Sequence, residues 1–215
     1  DVDKNRLGMS AFALEDFLKN VSLIDGKAIH IPSGKRVAAC VPMHTFGFPV
    51  HMDDLKLICD AWKIPIVEDA AEALGSEYNG KPIGSFGDVG VFSLNGNKIV
   101  TSGGGGAIVT NNATLRIKAK HLVTTAKVPH SYEFYHDEFG YNYRMPNLNA
   151  ALAVAQLEQL EYFLGNKRAL AELYLAFFTN LGVSFRTENR QSKANYWLMC
   201  LELENRKERD LFLKE

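Results

Sequence analysis

The chain has 215 residues, a formal net charge of −1, and 47% hydrophobic and 23% charged residues, which is the composition of an ordinary globular protein. The balanced charge, with no block of five like charges, argues against a surface built to bind a polyanion such as nucleic acid. No apolar stretch reaches the roughly 18 residues that cross a membrane, and no basic-then-apolar leader opens the chain. We therefore expect a cytoplasmic protein with neither a nucleic acid nor a membrane as partner.

The cysteines and histidines give no sign of a disulfide framework or a metal site. Cys40, Cys59 and Cys200 are odd in number, far apart and set in apolar sequence, as expected of reduced thiols in a reducing compartment. Histidines and acids cluster at residues 130–138, but without the H-E-x-x-H spacing or a similar ligand spacing. The sequence therefore predicts that no metal is bound.

The first half of the chain alternates between helix and strand patterns. Ser10 is the expected cap of a helix whose apolar residues recur at helical spacing up to Val21, and Asp53 is the expected cap of a helix ending at Trp62. Four apolar runs have the length of strands: residues 37–41, 64–67, 89–94 and 107–110. Continuous apolar strands that alternate with helices predict an α/β fold, a parallel sheet covered by helices.

The second half is predicted to be helical first and mixed later. A helix starts at Asn112, and from 147 to 181 apolar residues recur at three- and four-residue steps, with Gly165 the only expected kink. Two strands and a helix follow in the prediction: residues 183–185, residues 196–203 and a helix from Asn205.

These patterns predict three parts of the chain. Residues 1–146 are expected to be part of a large domain, residues 147–181 connecting helices, and residues 182–215 the start of a small, incomplete C-terminal domain. The chain opens without methionine and stops within a helical pattern. We therefore expect it to be a piece of a longer protein, truncated at both ends.

The sharpest local signal is Lys98, which follows the apolar run at 89–94 and precedes four consecutive glycines at 103–106. An amine at a strand end, partly removed from water, can attack an aldehyde, as Schiff-base chemistry requires. The alternatives are an exposed turn lysine and a tight turn of glycines. A phosphate-binding nucleotide loop is excluded, because Asn97 precedes the lysine and Ile99 follows it.

A carboxylate, Asp69, follows the predicted strand at 64–67. Ligands of open parallel sheets bind at the carboxyl ends of the strands, where an aspartate can keep a pyridine nitrogen protonated. The alternative is a helix cap or a loop acid, and the presence of Lys98 favours the first interpretation. His44 is either a substrate contact or a hydrogen-bonded structural histidine.

Three ordered motifs, E-D-A-A-E-A-L-G at 68–75, F-S-L-N-G-N-K at 92–98 and G-Y-N-Y-R-M-P at 140–146 followed by N-A-A at 149–151, resemble the DegT/DnrJ/EryC1/StrS aminotransferases. These are pyridoxal-phosphate enzymes that aminate keto-sugars carried on nucleotides. Residues 127–143 look most like the legionaminic-acid branch of the family. The resemblance implies the aspartate-aminotransferase type of fold, fold type I, with a mostly parallel sheet flanked by helices.

The resemblance also implies roles for five residues. Lys98 matches the lysine that forms the Schiff base and moves a proton between substrate and cofactor, and Asp69 matches the acid paired with the pyridine nitrogen. Ser93 matches the hydroxyl that binds the cofactor phosphate, and Asn142 the asparagine that reaches the neighbouring subunit's phosphate. Glu72 stands near the phenolic oxygen, where many relatives carry Gln or His; since a carboxylate would repel a phenolate there, it must be protonated or turned away.

The activity implied by the resemblance is transamination in amino-sugar and surface-polysaccharide biosynthesis by a homodimer with shared sites. L-Glutamate is the expected amino donor, and a UDP-linked 4-keto sugar the expected acceptor. Relatives that dehydrate sugars carry histidine in place of the lysine, so Lys98 favours transamination. The alternative is an incomplete or non-catalytic relative that binds a nucleotide sugar or a partner chain without turnover.

Overall fold

The structure is a computed structural model that describes residues 1–214. The helices are α1 Ala11–Leu18, α2 Met52–Ala61, α3 Ala113–Val123, α4 Asn147–Leu157, α5 Leu160–Asn180 and α6 Arg206–Phe212. The strands are β1 Val21–Ile24, β2 Lys27–His30, β3 Lys35–Arg36, β4 Val67–Asp69, β5 Glu77–Tyr78, β6 Lys81–Pro82, β7 Val89–Ser93, β8 Gly106–Val109, β9 Lys127–Val128, β10 Tyr135–His136, β11 Ser184–Phe185, β12 Ser192–Lys193 and β13 Leu201–Glu202. No helix within this stretch is both long and apolar enough to span a membrane.

The central sheet has the order β4-β7-β8, with β4 parallel to β7 and β7 antiparallel to β8. The predicted strand at 37–41 is wrong, since only isolated parallel bridges form there, from Cys40 to Ile66 and from Met43 to Asp69. Pro42, which lies between the bridged positions, has no N–H to donate to a ladder. The α/β fold with parallel strands is confirmed, while the strand at 107–110 is found as the antiparallel β8.

The first helix is confirmed at its start and wrong at its end. The Ser10 hydroxyl accepts a hydrogen bond from the Ala13 N–H at 3.3 Å, as an N-cap does. Val21 is not helical but begins β1, which forms a hairpin with β2. The two-residue turn, Asp25 and Gly26, has φ values of 49° and 72°, typical of the Asp-Gly turns that join antiparallel strands.

The second helix and the following strand are shifted from their predicted bounds. Asp53 lies in the first turn of α2 rather than at its cap, and its carboxylate accepts hydrogen bonds from Tyr78 and Asn79. The strand predicted at 64–67 is β4, Val67–Asp69, because the Ile64 N–H donates to the last turn of the helix instead. Asp69 is therefore the final residue of the strand.

The long helical pattern is two helices, and its expected kink is wrong. The break lies between Leu157 and Leu160, whereas Gly165 is inside α5. The predicted strand at 196–203 shortens to β13, because Tyr196 adopts a left-handed φ of 49° that a strand does not allow. The helix predicted from Asn205 is α6, and Asn205 is its N-cap, since its side chain accepts a hydrogen bond from the Glu208 N–H.

Three hydrophobic clusters within the described residues connect the parts of the chain, and the smallest joins Leu94 and Val100 to Ala153 in α4. The largest joins α1 and α2 to the central sheet through residues such as Leu18, Leu55 and Ile66. The second joins Phe48 to Ala171 in α5 and to residues after 182, including Phe185. In addition, β12 pairs with β5, so the last part of the chain packs directly on the first. The division into domains at 146 and 181 stays a prediction.

Candidate functional site

Two residues predicted from the sequence lie at one edge of the central sheet. Asp69 is the last residue of β4 and pairs with Val91 in β7. Ser93 lies two residues further along and is the last residue of β7. Because these strands are parallel, their carboxyl ends meet at the same edge, where ligands of α/β sheets bind.

Asp69 is half-buried, and both its backbone N–H and its carbonyl form hydrogen bonds. Its N–H donates to the Pro42 carbonyl at 2.9 Å, and its carbonyl accepts from the His44 N–H at 3.1 Å. The carboxylate accepts a hydrogen bond from the Ala71 N–H at 3.1 Å. The backbone hydrogen bonds therefore fix the position of the Asp69 main chain, and the hydrogen bond from Ala71 to one carboxylate oxygen orients the side chain.

Lys98 is enclosed rather than an exposed turn lysine, with 13% of its side chain exposed. Its N–H donates to the Asn95 carbonyl at 3.1 Å, which closes a turn after β7. Its Nζ lies 3.8 Å from Oε1 of Glu72 and 3.8 Å from the ring centroid of Trp197. The ammonium is thus placed between a carboxylate and an aromatic face.

Glu72 has both carboxylate oxygens engaged by this chain. One oxygen faces Lys98, and the other accepts a hydrogen bond from the Phe46 N–H at 2.6 Å. Phe46 has a φ of 58°, a strained backbone for a large side chain. The positive amine offsets the charge of the carboxylate, so Glu72 is neither isolated nor turned out to water. Its predicted place near a phenolic oxygen stays a prediction.

A buried pair, His44 and Glu68, lies next to the site; sequence reasoning considered His44 but missed its contact with Glu68. Nδ1 of His44 accepts a hydrogen bond from the Val50 N–H at 3.3 Å, which places the ring proton on Nε2. That nitrogen faces Oε2 of Glu68 at 3.4 Å, and neither side chain is exposed. His44 is therefore a structural histidine, not a substrate contact.

The Glu68 carboxylate ties β4 to the loop before β7. It accepts hydrogen bonds from the N–H groups of Gly84, Phe86 and Gly87 at 2.8, 2.6 and 2.6 Å. Burial acts to raise the pKa of this carboxyl, but the nearby His44 ring and the hydrogen bonds from the Gly87 and Gly84 N–H groups outweigh burial and bring the pKa below its ordinary value. Glu68 is therefore a carboxylate that supports the strand carrying Asp69.

Sequence reasoning also missed Trp197. It is 8% exposed, and its indole N–H donates to the Asn97 carbonyl at 2.7 Å. Trp197 and Lys98 are 99 positions apart in the chain, so no local spacing signals their contact.

Asn142 lies in a different cleft from Lys98. It is exposed, and its backbone forms an isolated bridge with Thr124. The cleft has a volume of about 1130 Å³ and is also lined by Met145 and by the glycine run up to Gly106. Lys98 lines a separate cleft of about 630 Å³ with Trp197. The described chain therefore does not bring Asn142 to its own Lys98.

One further group of potential ligand atoms is accounted for by ion pairs. His121, Asp137 and Glu138 each place one atom within 4.8 Å of the others. However, His121 contacts Asp137 at 2.7 Å, and Lys118 pairs with Glu138. The His121 hydrogen bond lowers the pKa of Asp137. This cluster holds the end of α3 against the following segment.

The functional groups at the sheet edge and in the turn after β7 match those that pyridoxal phosphate requires. Lys98 offers an enclosed primary amine for an aldehyde, and Asp69 offers an oriented carboxylate for a ring nitrogen. The Ser93 hydroxyl lies beside the backbone N–H of Asn95, and such groups bind phosphate oxygens. The donor set of this chain therefore fits the cofactor.

Comparison with known proteins identifies relatives over most of the chain. EpsN of Bacillus subtilis, whose name describes a pyridoxal phosphate-dependent aminotransferase, is 36% identical over 206 residues, covering 95% of this chain and 50% of EpsN. The GDP-perosamine synthase of Escherichia coli O157:H7 is 36% identical, covering 91% and 52%. The UDP-4-amino-4,6-dideoxy-N-acetyl-beta-L-altrosamine transaminase of Campylobacter jejuni is 33% identical, covering 73% and 43%. The chain thus spans about half the length of the curated relatives it matches.

Solved structures show the same fold. A DegT DnrJ EryC1 StrS aminotransferase from Brucella abortus superimposes with a TM-score of 0.86 at 24% identity, covering 100% of this chain and 55% of the other. The model of the DegT/DnrJ/EryC1/StrS aminotransferase family matches residues 13–215. By fold, motifs and similarity to curated relatives, the chain belongs to the DegT/DnrJ/EryC1/StrS aminotransferase family.

Proposed function

We propose that this chain carries the cofactor-binding part of a pyridoxal-phosphate-dependent aminotransferase that acts on a nucleotide-linked keto-sugar. The observation that carries the proposal is the enclosed amine of Lys98, which contacts Glu72, three residues after Asp69, and follows Ser93 by five residues. Asp69 and Ser93 are the last residues of two parallel strands. An amine, a carboxylate and a hydroxyl in this arrangement serve three different parts of one cofactor.

Pyridoxal phosphate, when bound, supplies an aldehyde for an amine and a ring that accepts negative charge from a substrate carbon. Asp69 would hold a proton on the ring nitrogen, for which its Ala71 hydrogen bond already orients the carboxylate. The Ser93 hydroxyl would donate to the phosphate. Lys98 would bind the aldehyde and hold or move the proton of the reacting carbon, because its enclosed amine lies beside Glu72, three residues after Asp69.

Glu72 has a role in this proposal that differs from direct contact with a phenolate. It pairs with the charged amine of Lys98 while the Phe46 N–H fixes its other oxygen. The carboxylate then keeps a constant place whether or not the amine stays charged. We propose that Glu72 binds near the cofactor and balances the charge of the lysine.

The acceptor is proposed to be a UDP-linked 4-keto sugar and the donor L-glutamate, in a branch of the legionaminic-acid type. Support comes from the resemblance of residues 127–143 to that branch and from the UDP-linked compound in the name of the C. jejuni relative. The E. coli relative carries GDP in its name, so the test compares 4-keto sugars linked to UDP and to GDP. Equal or better turnover of the GDP sugar would contradict the UDP assignment.

We also propose a homodimer in which Asn142 serves the site of the partner copy. Asn142 is exposed and does not share the cleft of its own Lys98. The surrounding segment exposes large apolar side chains, with Phe134 80% and Phe139 97% exposed, and such patches mark association surfaces. Sedimentation that shows an active monomer would contradict this assembly.

The reaction is proposed to belong to amino-sugar and surface-polysaccharide biosynthesis in the cytoplasm. Cys40, Cys59 and Cys200 are all free thiols, as expected in a reducing compartment. The fractionation of cells that produce the natural protein tests the location directly.

The decisive experiment for the cofactor is reductive trapping. The protein is mixed with pyridoxal phosphate, reduced with borohydride and digested, and the modified peptide is sequenced by mass spectrometry. We expect the pyridoxyl group on Lys98, and glutamate added before reduction should bleach the yellow colour. A group on another lysine contradicts the assignment, and absence of both colour and trapping supports a non-catalytic relative.

A further inference from the structure

The amine of Lys98 is covered by a residue from the far end of the chain. Nζ lies 3.8 Å from the ring centroid of Trp197, well within the roughly 6 Å over which an ammonium is attracted to an aromatic face. Both groups are shielded from water, since Trp197 is 8% exposed and the Lys98 side chain 13%. Desolvation strengthens such a contact, because less water competes for the cation.

Trp197 is held by three hydrogen bonds, one to the indole and two to its backbone, so the ring face has a defined place. Its ring N–H donates to the carbonyl of Asn97, the residue before the lysine, at 2.7 Å. Its backbone N–H donates to Oδ1 of Asn195 at 2.8 Å, and its carbonyl accepts from Nζ of Lys167 in α5 at 3.0 Å. The ring therefore holds the lysine turn at both the side chain and the backbone.

Asn195 links the segment of residues 194–197, which carries Trp197, to the turn that carries Glu72. It is 1% exposed, and its side-chain amide donates to the carbonyls of Glu72 and Leu74 at 2.8 and 2.9 Å. Its own N–H donates to Oγ of Ser76 at 3.0 Å. The same short segment therefore positions both neighbours of the Lys98 amine.

An ion pair clamps the start of the segment. Arg168 in α5 donates to both carboxylate oxygens of Glu188 at 2.8 Å, and also to the carbonyl of Ala194 at 2.8 Å. Glu188 in turn accepts from the Ala194 N–H at 2.7 Å. Because a bidentate arginine pair is geometrically specific, Ala194 cannot shift without losing several hydrogen bonds.

We propose that Trp197 is a positioning residue for Lys98, delivered by the docked segment 194–197. The ring face holds the ammonium beside Glu72, and the ring N–H holds the Asn97 carbonyl. The placement of the reactive amine then depends on the docking of residues that come after α5. The inference rests on the proposed function of Lys98, but its test needs neither cofactor nor turnover.

The test is competitive labelling of the cofactor-free protein with trace acetic anhydride, read lysine by lysine by mass spectrometry. Lys56, which is half exposed on α2, is the internal reference. We expect Trp197→Leu to raise the labelling of Lys98 several-fold over the reference. Trp197→Phe, which keeps an aromatic face and loses the ring N–H, should restore most of the protection.

The matched control is Trp62→Phe, which changes the other tryptophan of the chain and should leave Lys98 labelling unchanged. Unchanged labelling in Trp197→Leu would overturn the proposal. If Trp197→Phe behaved like Trp197→Leu, the Asn97 hydrogen bond alone would hold the turn, and the role assigned to the ring face would be wrong.

A spectroscopic readout keeps the proposal testable if the leucine variant fails to fold. In a Trp62→Phe background the tryptophan emission reports Trp197 alone. We expect Lys98→Met to shift the emission maximum by several nanometres, while Lys98→Arg, which keeps a cation, stays near the parent. Equal spectra in all three proteins would overturn the proposal. Reductive trapping on another lysine would instead contradict the proposed function while leaving the labelling result intact.

Discussion

The inner and outer parts of the candidate site are held in different ways. Asp69, Glu72 and Lys98 are half-buried, and each is fixed by hydrogen bonds or ion pairs within this chain. Asn142 is exposed, in a segment whose aromatic side chains, such as Phe139, also face outward. The inner part is therefore organised by the fold itself, whereas the outer part leaves Asn142 and several aromatic side chains exposed.

The inner residues are held in place by this chain alone, whereas the outer residues, in the proposed homodimer, need a second chain to complete the site. Burying a polar group is costly unless it is paired, so the inner residues carry partners such as the Phe46 N–H for Glu72. An exposed apolar segment gains its partners by association. The inner part should thus respond to single substitutions, and the outer part to mixing of subunits.

The largest expected effect is on activity and comes from removing the amine of Lys98 from the inner part of the site. Lys98→Ala should abolish transamination, because no other enclosed amine lies between Glu72 and Trp197 in residues 1–214. Some non-covalent binding of pyridoxal phosphate should persist, since Asp69 and Ser93 remain. Turnover is followed with glutamate as donor, and binding by absorbance. Full activity in the variant would show that another lysine reacts.

The next effect concerns the carboxylate at the end of β4. Asp69→Asn should lower the rate by at least about ten- to a hundredfold, the equivalent of one charged hydrogen bond of about 1.5–3 kcal/mol. The loss of a protonated ring nitrogen should add to this reduction. The unfolding midpoint should change little, since the Ala71 N–H still finds an oxygen. A rate close to that of the parent would make Asp69 a loop acid.

The outer part is tested by complementation between defective subunits. Lys98→Ala and Asn142→Ala homodimers should each be impaired, while an equal mixture that exchanges subunits should regain up to roughly a quarter of the parent activity. Half of the dimers are then mixed, and in each of these one of two sites carries neither substitution. If Asn142 serves its own chain, every site keeps a defect, and mixing recovers nothing.

The smallest effect is on stability and comes from the buried carboxylate beneath the site. Glu68→Gln should lower the free energy of unfolding by about 1–3 kcal/mol at neutral pH, because an amide cannot accept all the N–H groups of the 84–87 loop. The matched control is Glu133→Gln, an exposed acid outside this loop, which should change stability little.

The Glu68 carboxylate also predicts how stability changes with pH, and in which direction. The pKa of Glu68 is lower in the folded chain than its ordinary value of about 4.3. Its stabilisation is therefore present above that value and is lost as the pH falls through the folded-state pKa. Urea unfolding of parent and variant should differ most near neutral pH and converge in acid. A difference that grows in acid would contradict the assignment of Glu68 as a buried carboxylate.

Local sequence patterns predicted where most helices and strands lie better than they predicted the residues at which those elements end. The cap Ser10 was predicted because a side-chain oxygen before a helix satisfies a free N–H group nearby in sequence. The kink expected at Gly165 was wrong, since an interior glycine weakens a helix without ending it. The strand at 37–41 was wrong because apolar length does not show whether a neighbouring strand pairs along it.

The sequence by itself determined the family, through three ordered motifs, and named Lys98 and Asp69 as the residues to examine. It could do so because strand ends and motif spacing are local properties of the chain. Only the tertiary structure decided that His44 pairs with Glu68, and that Trp197 covers the amine. These contacts join residues 24 and 99 positions apart, and burial, which makes them strong, arises only when distant segments pack together.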